Sequence, residues 1–256
     1  NRINTLLAWF GRHLLPARCL ICGQVPAPDS GLCRHCNTEL FQPQAQPSWR
    51  CRRCGIRLIR FQLAGLKPSS PKDGALDCAK CIQRKPFFSQ CVCVVDFNPA
   101  ASNLVNQLKH QGRLTAVVPI AAAMTAAIRA HYGPTLDEID CVIPVPLHAY
   151  RLRTRGFNQA IEIAKPIGKE LKLPIQNNLC VRQVNTRQQQ LTGKKARQDN
   201  LRDAFSVTQP LKGKRIVIID DVVTTGATAN ALSKALLLAG ASRCDVWCFA
   251  RTPKHY

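Results

Sequence analysis

The stretch Val217-Ile-Ile-Asp-Asp-Val-Val-Thr-Thr-Gly-Ala-Thr228 decides the fold of this 256-residue chain. It passes from a short apolar strand, over two adjacent acids, into a small hydroxyl-rich loop and then a helix. A loop that enters a helix offers free backbone N–H groups and the positive end of the helix dipole, which suit a phosphate. Asp220 and Asp221 suit ribose hydroxyls or a hydrated Mg²⁺. The stretch therefore predicts a sugar-phosphate site at the carboxyl end of a strand.

The sequence on both sides of this stretch alternates between short apolar strands and helices. Strands are expected at 91–97, 141–145, 216–219 and 244–250, and helices at 102–110, 114–130, 157–171 and 227–239. Prolines 119 and 166 fall inside two of these helices, where a break or kink is expected. Buried apolar strands that alternate with helices predict an α/β fold, with a parallel sheet flanked by helices on both faces.

The first 90 residues have a different texture, rich in Cys, Pro and Arg. They contain four Cys-x-x-Cys pairs, and two such pairs complete the tetrahedral sulfur shell that suits zinc. We predict two structural four-cysteine zinc sites formed by Cys19, Cys22, Cys33, Cys36, Cys51, Cys54, Cys78 and Cys81. Pairing neighbours gives two consecutive ribbons, but the spacing equally permits a cross-braced arrangement.

Two domains follow from this texture. Residues 1–90 are predicted to form an N-terminal helix and a small double zinc-ribbon domain whose metal supplies the folding energy. The helix is indicated by apolar residues at helical spacing between positions 3 and 14. Residues 91–256 are predicted to form the α/β domain. The other six cysteines lie among apolar neighbours and are expected in the core.

Two features of the sequence bear on the cellular location of the protein: its N-terminal stretch and the length of its apolar runs. The start has no signal-peptide pattern, which disfavours a disulfide framework and favours a reducing, cytoplasmic setting. No uninterrupted apolar run approaches the roughly 20 residues of a bilayer span. We therefore expect a cytoplasmic protein with no transmembrane span.

The charge is strongly positive, with 36 Lys and Arg against 15 Asp and Glu, a formal net charge of +21. Residues 1–90 hold 14 basic and 4 acidic residues, and the rest hold 22 and 11. Such an excess across both parts indicates a polyanion partner, and single-stranded DNA adds base stacking on aromatic rings. The candidate nucleic-acid residues are Trp49, Arg50, Arg52, Arg53, Arg187, Lys194, Lys195 and Arg197.

The motif Asp-Asp-x-x-Thr-Thr-Gly-x-Thr resembles the phosphoribosyl pyrophosphate (PRPP) signature of type I phosphoribosyltransferases. The resemblance implies that Asp220 and Asp221 hold the ribose, with Mg²⁺ bound alongside PRPP. It implies a PRPP loop of Val222, Val223, Thr224, Thr225, Gly226, Ala227 and Thr228. A pyrophosphate loop would lie in Ile143-Pro-Val-Pro-Leu-His148, at Val145, Pro146 and Leu147. Arg151 and Arg155 are the candidates to cover the leaving pyrophosphate, because the guanidinium fork matches phosphate oxygens.

Paired-cysteine ribbons followed by Pro-Val-Pro-Leu, Arg-Gly-Phe-Asn-Gln and the PRPP signature together resemble the ComF family. That resemblance implies a competence protein that handles single-stranded DNA in the cytoplasm during natural transformation. Its partners would then include PRPP, single-stranded DNA and the DNA-uptake machinery at the inner membrane face. The alternative is a metabolic phosphoribosyltransferase that transfers phosphoribose from PRPP to a base or another acceptor. It explains the signature but leaves the ribbons and the charge without a role.

Overall fold

The computed structural model describes residues 18–27, 29–41, 50–58, 76–183 and 204–253. The predicted N-terminal helix and the candidates Trp49, Arg187, Lys194, Lys195 and Arg197 lie outside these residues. The helices are α1 Arg34–Phe41, α2 Ala79–Gln83, α3 Pro99–Gln111, α4 Val117–Tyr132, α5 Ala149–Arg155, α6 Gln159–Leu171 and α7 Ala227–Leu238. The strands are β1 Cys91–Asp96, β2 Cys141–Pro144, β3 Cys180–Arg182, β4 Phe205–Val207, β5 Arg215–Val223 and β6 Arg243–Arg251.

The main sheet has four strands in the order β1-β6-β5-β2, and every neighbouring pair is parallel. All four carboxyl ends therefore meet at one edge of the sheet. A separate antiparallel pair, β3 with β4, flanks residues 184–203 in the chain. The predicted parallel α/β architecture is confirmed.

Alternate residues of the strands feed two cores, one on each face of the sheet. On one face, Val217 and Ile219 of β5 pack with residues of α3, α4 and α6. On the other, Ile216 and Ile218 pack with residues of α7. All four of these side chains are 1% exposed or less. A strand buried on both faces must be continuously apolar, which is why β5 begins as an uninterrupted run.

The structure adjusts several predicted boundaries. Strand β5 extends to Val223, so the acid pair lies within the strand and not after it. Pro119 does not break α4, because it stands in the first turn, where its missing N–H has no helical partner to lose. Pro166 is accommodated inside α6. Helices α1, α2 and α5 were not predicted, since eight residues or fewer carry little periodicity.

The helical segment Leu114–Glu138 is long and apolar enough to cross a membrane by length and composition alone. Its core residues Ile120, Met124 and Ile128 are 1% exposed or less and pack in the core beside the sheet. These residues cover one face of the sheet, whereas Leu114 and Val118 of the same segment are about half exposed.

Five of the six cysteines outside the four pairs are buried, as predicted. Cys93 is half-buried, and its thiol donates a hydrogen bond to the Gly55 carbonyl oxygen at 3.3 Å. Trp247, on β6, is fully buried.

Candidate functional site

Within the described residues the eight paired cysteines form two groups of four, Cys19/Cys22/Cys33/Cys36 and Cys51/Cys54/Cys78/Cys81. We call these the first and second clusters. Neighbouring pairs share a cluster, so the consecutive arrangement is confirmed and the cross-braced one is wrong. The sulfur atoms of each group lie within 4.8 Å of one another.

The sulfur geometry fits zinc. A Zn–S bond of about 2.3 Å places tetrahedral sulfur atoms about 3.8 Å apart, and the Sγ atoms of Cys54 and Cys78 are 3.7 Å apart. Backbone N–H groups also point at the sulfurs, as in the 3.2 Å contact from Cys78 N to Cys51 Sγ. A hydrogen bond from Cys54 lowers the pKa of the Cys51 thiol to about 5, and the same contact raises the pKa of the Cys54 thiol, so the two sulfurs share a proton when no metal is bound.

The first cluster rests on helix α3 and on the main core. Its turn carbonyls accept side-chain amides from α3: Leu20 O from Gln107 Nε2, and Ile21 O from Asn103 Nδ2 at 3.4 Å. Leu32 and Leu40 of this ribbon belong to the same buried cluster as α3, α4 and α6. The segment that carries the first cluster, which we call the first ribbon, is therefore part of the hydrophobic core on this face of the sheet.

The segment that carries the second cluster, which we call the second ribbon, has a small hydrophobic core of its own. It contacts the sheet through polar groups. Arg50 pairs with Asp96 at the carboxyl end of β1 (2.8 Å) and donates to the Gly55 carbonyl oxygen (3.0 Å). Arg57 pairs with the same Asp96 at 2.7 Å. Gly55 has φ of +68°, and a Cβ there would lie 3.1 Å from the Cys91 carbonyl oxygen. Only glycine allows this close approach of ribbon to sheet.

The three described arginines that were predicted to contact nucleic acid all form ion pairs. Arg50 is held by Asp96, and Arg53 donates to Asp77 at 2.7 Å. Arg52 lies 3.7 Å from Asp77 and keeps 49% of its side chain exposed. Of these three, Arg52 is the one most accessible to a polyanion.

The adjacent acids of β5 have different surroundings. Asp221 is buried; its Oδ2 pairs with Lys109 Nζ at 2.5 Å, and its Oδ1 accepts from Gln159 Nε2 at 3.3 Å. Asp220 keeps partial exposure, and its Oδ1 accepts the Asp221 N–H at 2.9 Å. Desolvation and the neighbouring Asp221 charge raise the pKa of Asp220 well above its usual range. Asp220 is thus the carboxylate that a ribose or a hydrated Mg²⁺ can reach, and Asp221 is held inside the protein.

Residues 224–226 form an exposed loop between β5 and α7, which we call the phosphate loop. Thr224 and Thr225 are exposed, and Gly226 caps α7 with φ of +78°, a conformation that favours glycine. The Ala227 N–H donates to Thr225 Oγ1 at 3.2 Å. The helix N-terminus and the two hydroxyls therefore stand together, as a phosphate site requires. Val222 and Val223 are strand residues, and the Val223 side chain is buried.

Residues 145–148 form a second loop at the same edge, after β2. Its start is tied to β5 by the Val145 N–H, which donates to the Ile219 carbonyl oxygen at 2.9 Å. Asn158 donates to the Val145 carbonyl oxygen at 3.0 Å and caps α6 through Ala160 N at 2.9 Å. The Phe-Asn-Gln motif is thereby explained: its Asn holds the loop and its Gln159 reaches Asp221.

Arg151 and Arg155 lie on α5, which begins directly after this second loop. Both are half-buried, and Arg155 donates to the Gln159 side-chain oxygen. A continuous chain of contacts thus runs from Arg155 through Gln159 and Asp221 to Lys109. It links three helices to the acid pair.

Three site residues escaped the sequence prediction. Lys109 on α3 neutralises Asp221, and Arg251 at the end of β6 binds the phosphate loop. Arg182 on β3 stands close enough to Asp220 that the carboxylate charge partly offsets the burial that lowers the pKa of its guanidinium. Neither Lys109 nor Arg182 lies in a motif, and Arg251 is the last residue of an ordinary buried strand. The sequence around these residues therefore does not indicate a site.

Residues 10–67 match the family model described as a double zinc ribbon domain. Two relatives align along almost their whole length. DNA utilization protein YhgH of Salmonella typhimurium is 32% identical over 87% of this chain and 97% of its own. Competence protein F of Haemophilus influenzae is 29% identical over 91% of this chain and 96% of its own.

A more distant relative is competence protein ComFC of Bacillus subtilis, 24% identical over 83% of this chain and 80% of its own. Among solved structures, the purine phosphoribosyltransferase of Pyrococcus horikoshii aligns over 54% of this chain and 84% of its own, with 17% identity and a TM-score of 0.33.

Two four-cysteine clusters joined to a parallel sheet whose carboxyl edge carries the Asp-Asp and Thr-Thr-Gly elements define a class: a double zinc ribbon with a type I phosphoribosyltransferase-like α/β domain. The near full-length match to YhgH, with the ribbon match, assigns the chain within that class. It belongs to the ComF family.

Proposed function

We propose that this chain is a ComF-type competence protein that handles single-stranded DNA in the cytoplasm during natural transformation and binds PRPP with Mg²⁺ at the carboxyl edge of its sheet. Relatives that bear the names competence protein F and DNA utilization protein support the competence role. The observation that carries the DNA part is a basic, solvent-facing helix, α5, beside the proposed PRPP site.

Helix α5 has the composition of a single-strand contact. Its sequence, Ala-Tyr-Arg-Leu-Arg-Thr-Arg, has three arginines and no acid, and none of its seven residues is buried. Tyr150 is 57% exposed and Leu152 is 44% exposed. An exposed ring beside a cation suits a nucleic-acid strand, because bases stack on the ring while Arg153, the exposed arginine of α5, neutralises a phosphate. Arg52 on the second ribbon adds a further exposed cation.

The proposed PRPP site uses the two loops at the carboxyl edge. The phosphate loop would hold the 5-phosphate through N–H groups and the Thr224 and Thr225 hydroxyls. The half-buried carboxylate of Asp220 would hold ribose hydroxyls or favour Mg²⁺, whose charge would offset that of the pyrophosphate. Arg151 and Arg155 would face the pyrophosphate itself, where a planar fork binds phosphate oxygens.

The DNA proposal is tested by the salt dependence of binding to a short single-stranded oligonucleotide. Each neutralised phosphate adds about −0.7 to the slope of log K against log salt, so contact with roughly five phosphates gives about −3.5. Changing Arg52 and Arg153 to Ala should make the slope shallower by up to about 1.4. Tyr150→Ala should leave the slope unchanged but weaken binding by roughly 1–3 kcal/mol.

Leu238→Ala is the matched control for Tyr150→Ala, because Leu238 is 78% exposed at the end of α7 and lies outside the proposed surface. A PRPP-consumption assay with and without the oligonucleotide distinguishes the competence protein from a metabolic phosphoribosyltransferase. No binding to the oligonucleotide at low salt, with PRPP consumed at the same rate in both assays, would favour the metabolic phosphoribosyltransferase.

A further inference from the structure

Arg251 is a buried cation that touches both the second cluster and the phosphate loop. It is 5% exposed and ends β6. Its Nε donates to the Cys54 carbonyl oxygen at 2.8 Å. Its Nη1 donates to the Val223 carbonyl oxygen at 3.1 Å and also to that of Thr224. One rigid guanidinium therefore spans a zinc-ligand turn and the start of the loop.

These contacts orient the phosphate loop. A peptide unit is planar and trans, so a carbonyl and the following N–H point in opposite directions. With the Thr224 carbonyl turned towards Arg251, the Thr225 N–H is directed away from Arg251 and from the ribbon. The Val223 carbonyl is fixed as well by the Thr252 N–H, which donates to it at 3.1 Å, so the Thr224 carbonyl is the one whose orientation depends on Arg251. The Thr225 N–H, a loop donor that a phosphate would use, is thus aimed by the residue that also holds Cys54.

The other end of this connection depends on metal. Cys54 is a ligand of the second cluster, and its turn is closed by the Gly55 N–H, which donates to the Cys51 carbonyl oxygen at 2.9 Å. A zinc ion bonded to Cys51 and Cys54 would fix this turn, and with it the position of the Cys54 carbonyl. Without zinc, the turn keeps its backbone hydrogen bonds but loses the bonds that would tie it to Cys78 and Cys81.

The first cluster has no comparable route among the described contacts. It binds α3, and α3 carries Lys109, which pairs with Asp221. However, α3 is held by its own fully buried Leu104 and Leu108, so its position does not depend on the ribbon. The phosphate loop is exposed and lacks such support.

We infer that Arg251 is a positioning residue that couples the second zinc site to the phosphate loop, so that zinc at Cys51/Cys54/Cys78/Cys81 and PRPP bind cooperatively while the first zinc site stays uncoupled. This inference rests on the PRPP binding proposed above. Coupling between sites is reciprocal, so PRPP must strengthen zinc retention by the factor by which zinc strengthens PRPP binding.

Zinc retention against a chromogenic chelator, with Mg²⁺ alone and with Mg²⁺ and PRPP, tests the coupling. In a chain that keeps only the second site (Cys22→Ser with Cys36→Ser), PRPP should improve zinc retention about tenfold, within the usual range for coupled sites. In a chain that keeps only the first site (Cys54→Ser with Cys81→Ser), PRPP should not change retention. Equal protection of both sites, or of neither, overturns the inference.

Arg251→Lys removes the fork but keeps the charge, and a single ammonium cannot span both partners. It should abolish the PRPP effect on zinc while both ions remain bound. Arg243→Lys, at the other end of β6, is the matched control and should retain the effect. If Arg251→Lys or a single-site chain does not fold, zinc release from the unmodified chain decides the matter, because PRPP should then protect one of its two ions and not the other. Calorimetry on the unmodified chain separates the failures: no PRPP binding rejects the proposed function, whereas PRPP binding without zinc protection rejects only the coupling.

Discussion

The two four-cysteine clusters share one ligand chemistry but are attached to the α/β domain in different ways. The first contributes Leu32 and Leu40 to the large core on one face of the sheet. The second keeps a small core of its own, with Ile56 and Leu58, and reaches the sheet through arginine contacts.

The difference shows how one kind of metal site can serve two purposes. A ribbon that shares the hydrophobic core stabilises the whole domain, because any void there is felt by every packed neighbour. A ribbon attached through directional hydrogen bonds adds little hydrophobic stabilisation but can orient a particular loop. We therefore expect the first ribbon to act on stability and the second on the site.

The largest effect should come from zinc removal. Each chain should bind two zinc ions, and a structural site contributes on the order of 10–16 kcal/mol in small zinc peptides. Cys51→Ser should unfold the second ribbon and leave the α/β domain folded, since its sheet is packed on both faces. Elemental analysis, with circular dichroism during thermal unfolding, checks both points. One zinc ion or none in the unmodified chain would contradict the expectation.

A matched pair of core variants compares the ribbons directly. Leu32 and Ile56 are 1% and 5% exposed, so each change to Ala removes a buried side chain at a cost of about 2–5 kcal/mol. Leu32→Ala should lower the stability of the α/β domain, measured by native-state hydrogen exchange of its strands. Ile56→Ala should lower protection in the second ribbon alone. Equal losses in the strands would show that the two ribbons are anchored alike.

The acid pair extends the comparison of the two ribbons. Asp221 pairs with Lys109 of α3, the helix that the first ribbon contacts. Asp221→Asn removes the charge that faces Lys109 and should cost about 1.5–3 kcal/mol. The melting temperature should fall by about 2–4 °C for each kcal/mol. Glu170→Gln is the control, since its ion pair with Arg129 is about half exposed and contributes little. If Asp221→Asn melts at the same temperature as the unmodified chain, the buried Lys109–Asp221 ion pair does not stabilise the fold.

The smallest effect has the opposite sign. The pKa of Asp220 is raised in the folded chain, so this carboxyl lowers stability as pH rises above its ordinary pKa, and the loss is complete above the raised pKa. Asp220→Asn should therefore raise the melting temperature of the ligand-free protein at neutral pH by about 2–4 °C, equivalent to about 1 kcal/mol. The gain should begin to shrink as pH falls below the raised pKa of Asp220, and it should be gone below the ordinary carboxyl pKa, where Asp220 is neutral in the folded and the unfolded chain.

Asp220→Asn should at the same time abolish PRPP binding in calorimetry, since the carboxylate proposed to hold the ribose or to favour Mg²⁺ is lost. A variant that melts lower than the unmodified chain, or that binds PRPP as tightly, would show that the two acids have not been assigned correctly.

Local patterns accounted for much of this protein. Cysteine spacing indicated the zinc ligands, and apolar runs located all four strands of the main sheet. The Asp-Asp and Thr-Thr-Gly elements indicated the candidate site. Such features are readable because a metal-binding turn, a buried strand or a loop at a helix N-terminus depends on residues that are close in the chain. The short helices were not predicted, and the predicted end of β5 came too early. Within the sheet, the strand continues through Asp220 and Asp221.

Tertiary structure decided which cysteines share a cluster, which acid is buried and which cations hold the site. The Lys109–Asp221 pair and the Arg251–Cys54 contact each join residues more than one hundred positions apart. They exist because parallel strands bring all their carboxyl ends to one edge, where the ribbon turns and helix α3 also arrive. Spacing along the chain cannot encode such a meeting point, because it is created only when the sheet assembles.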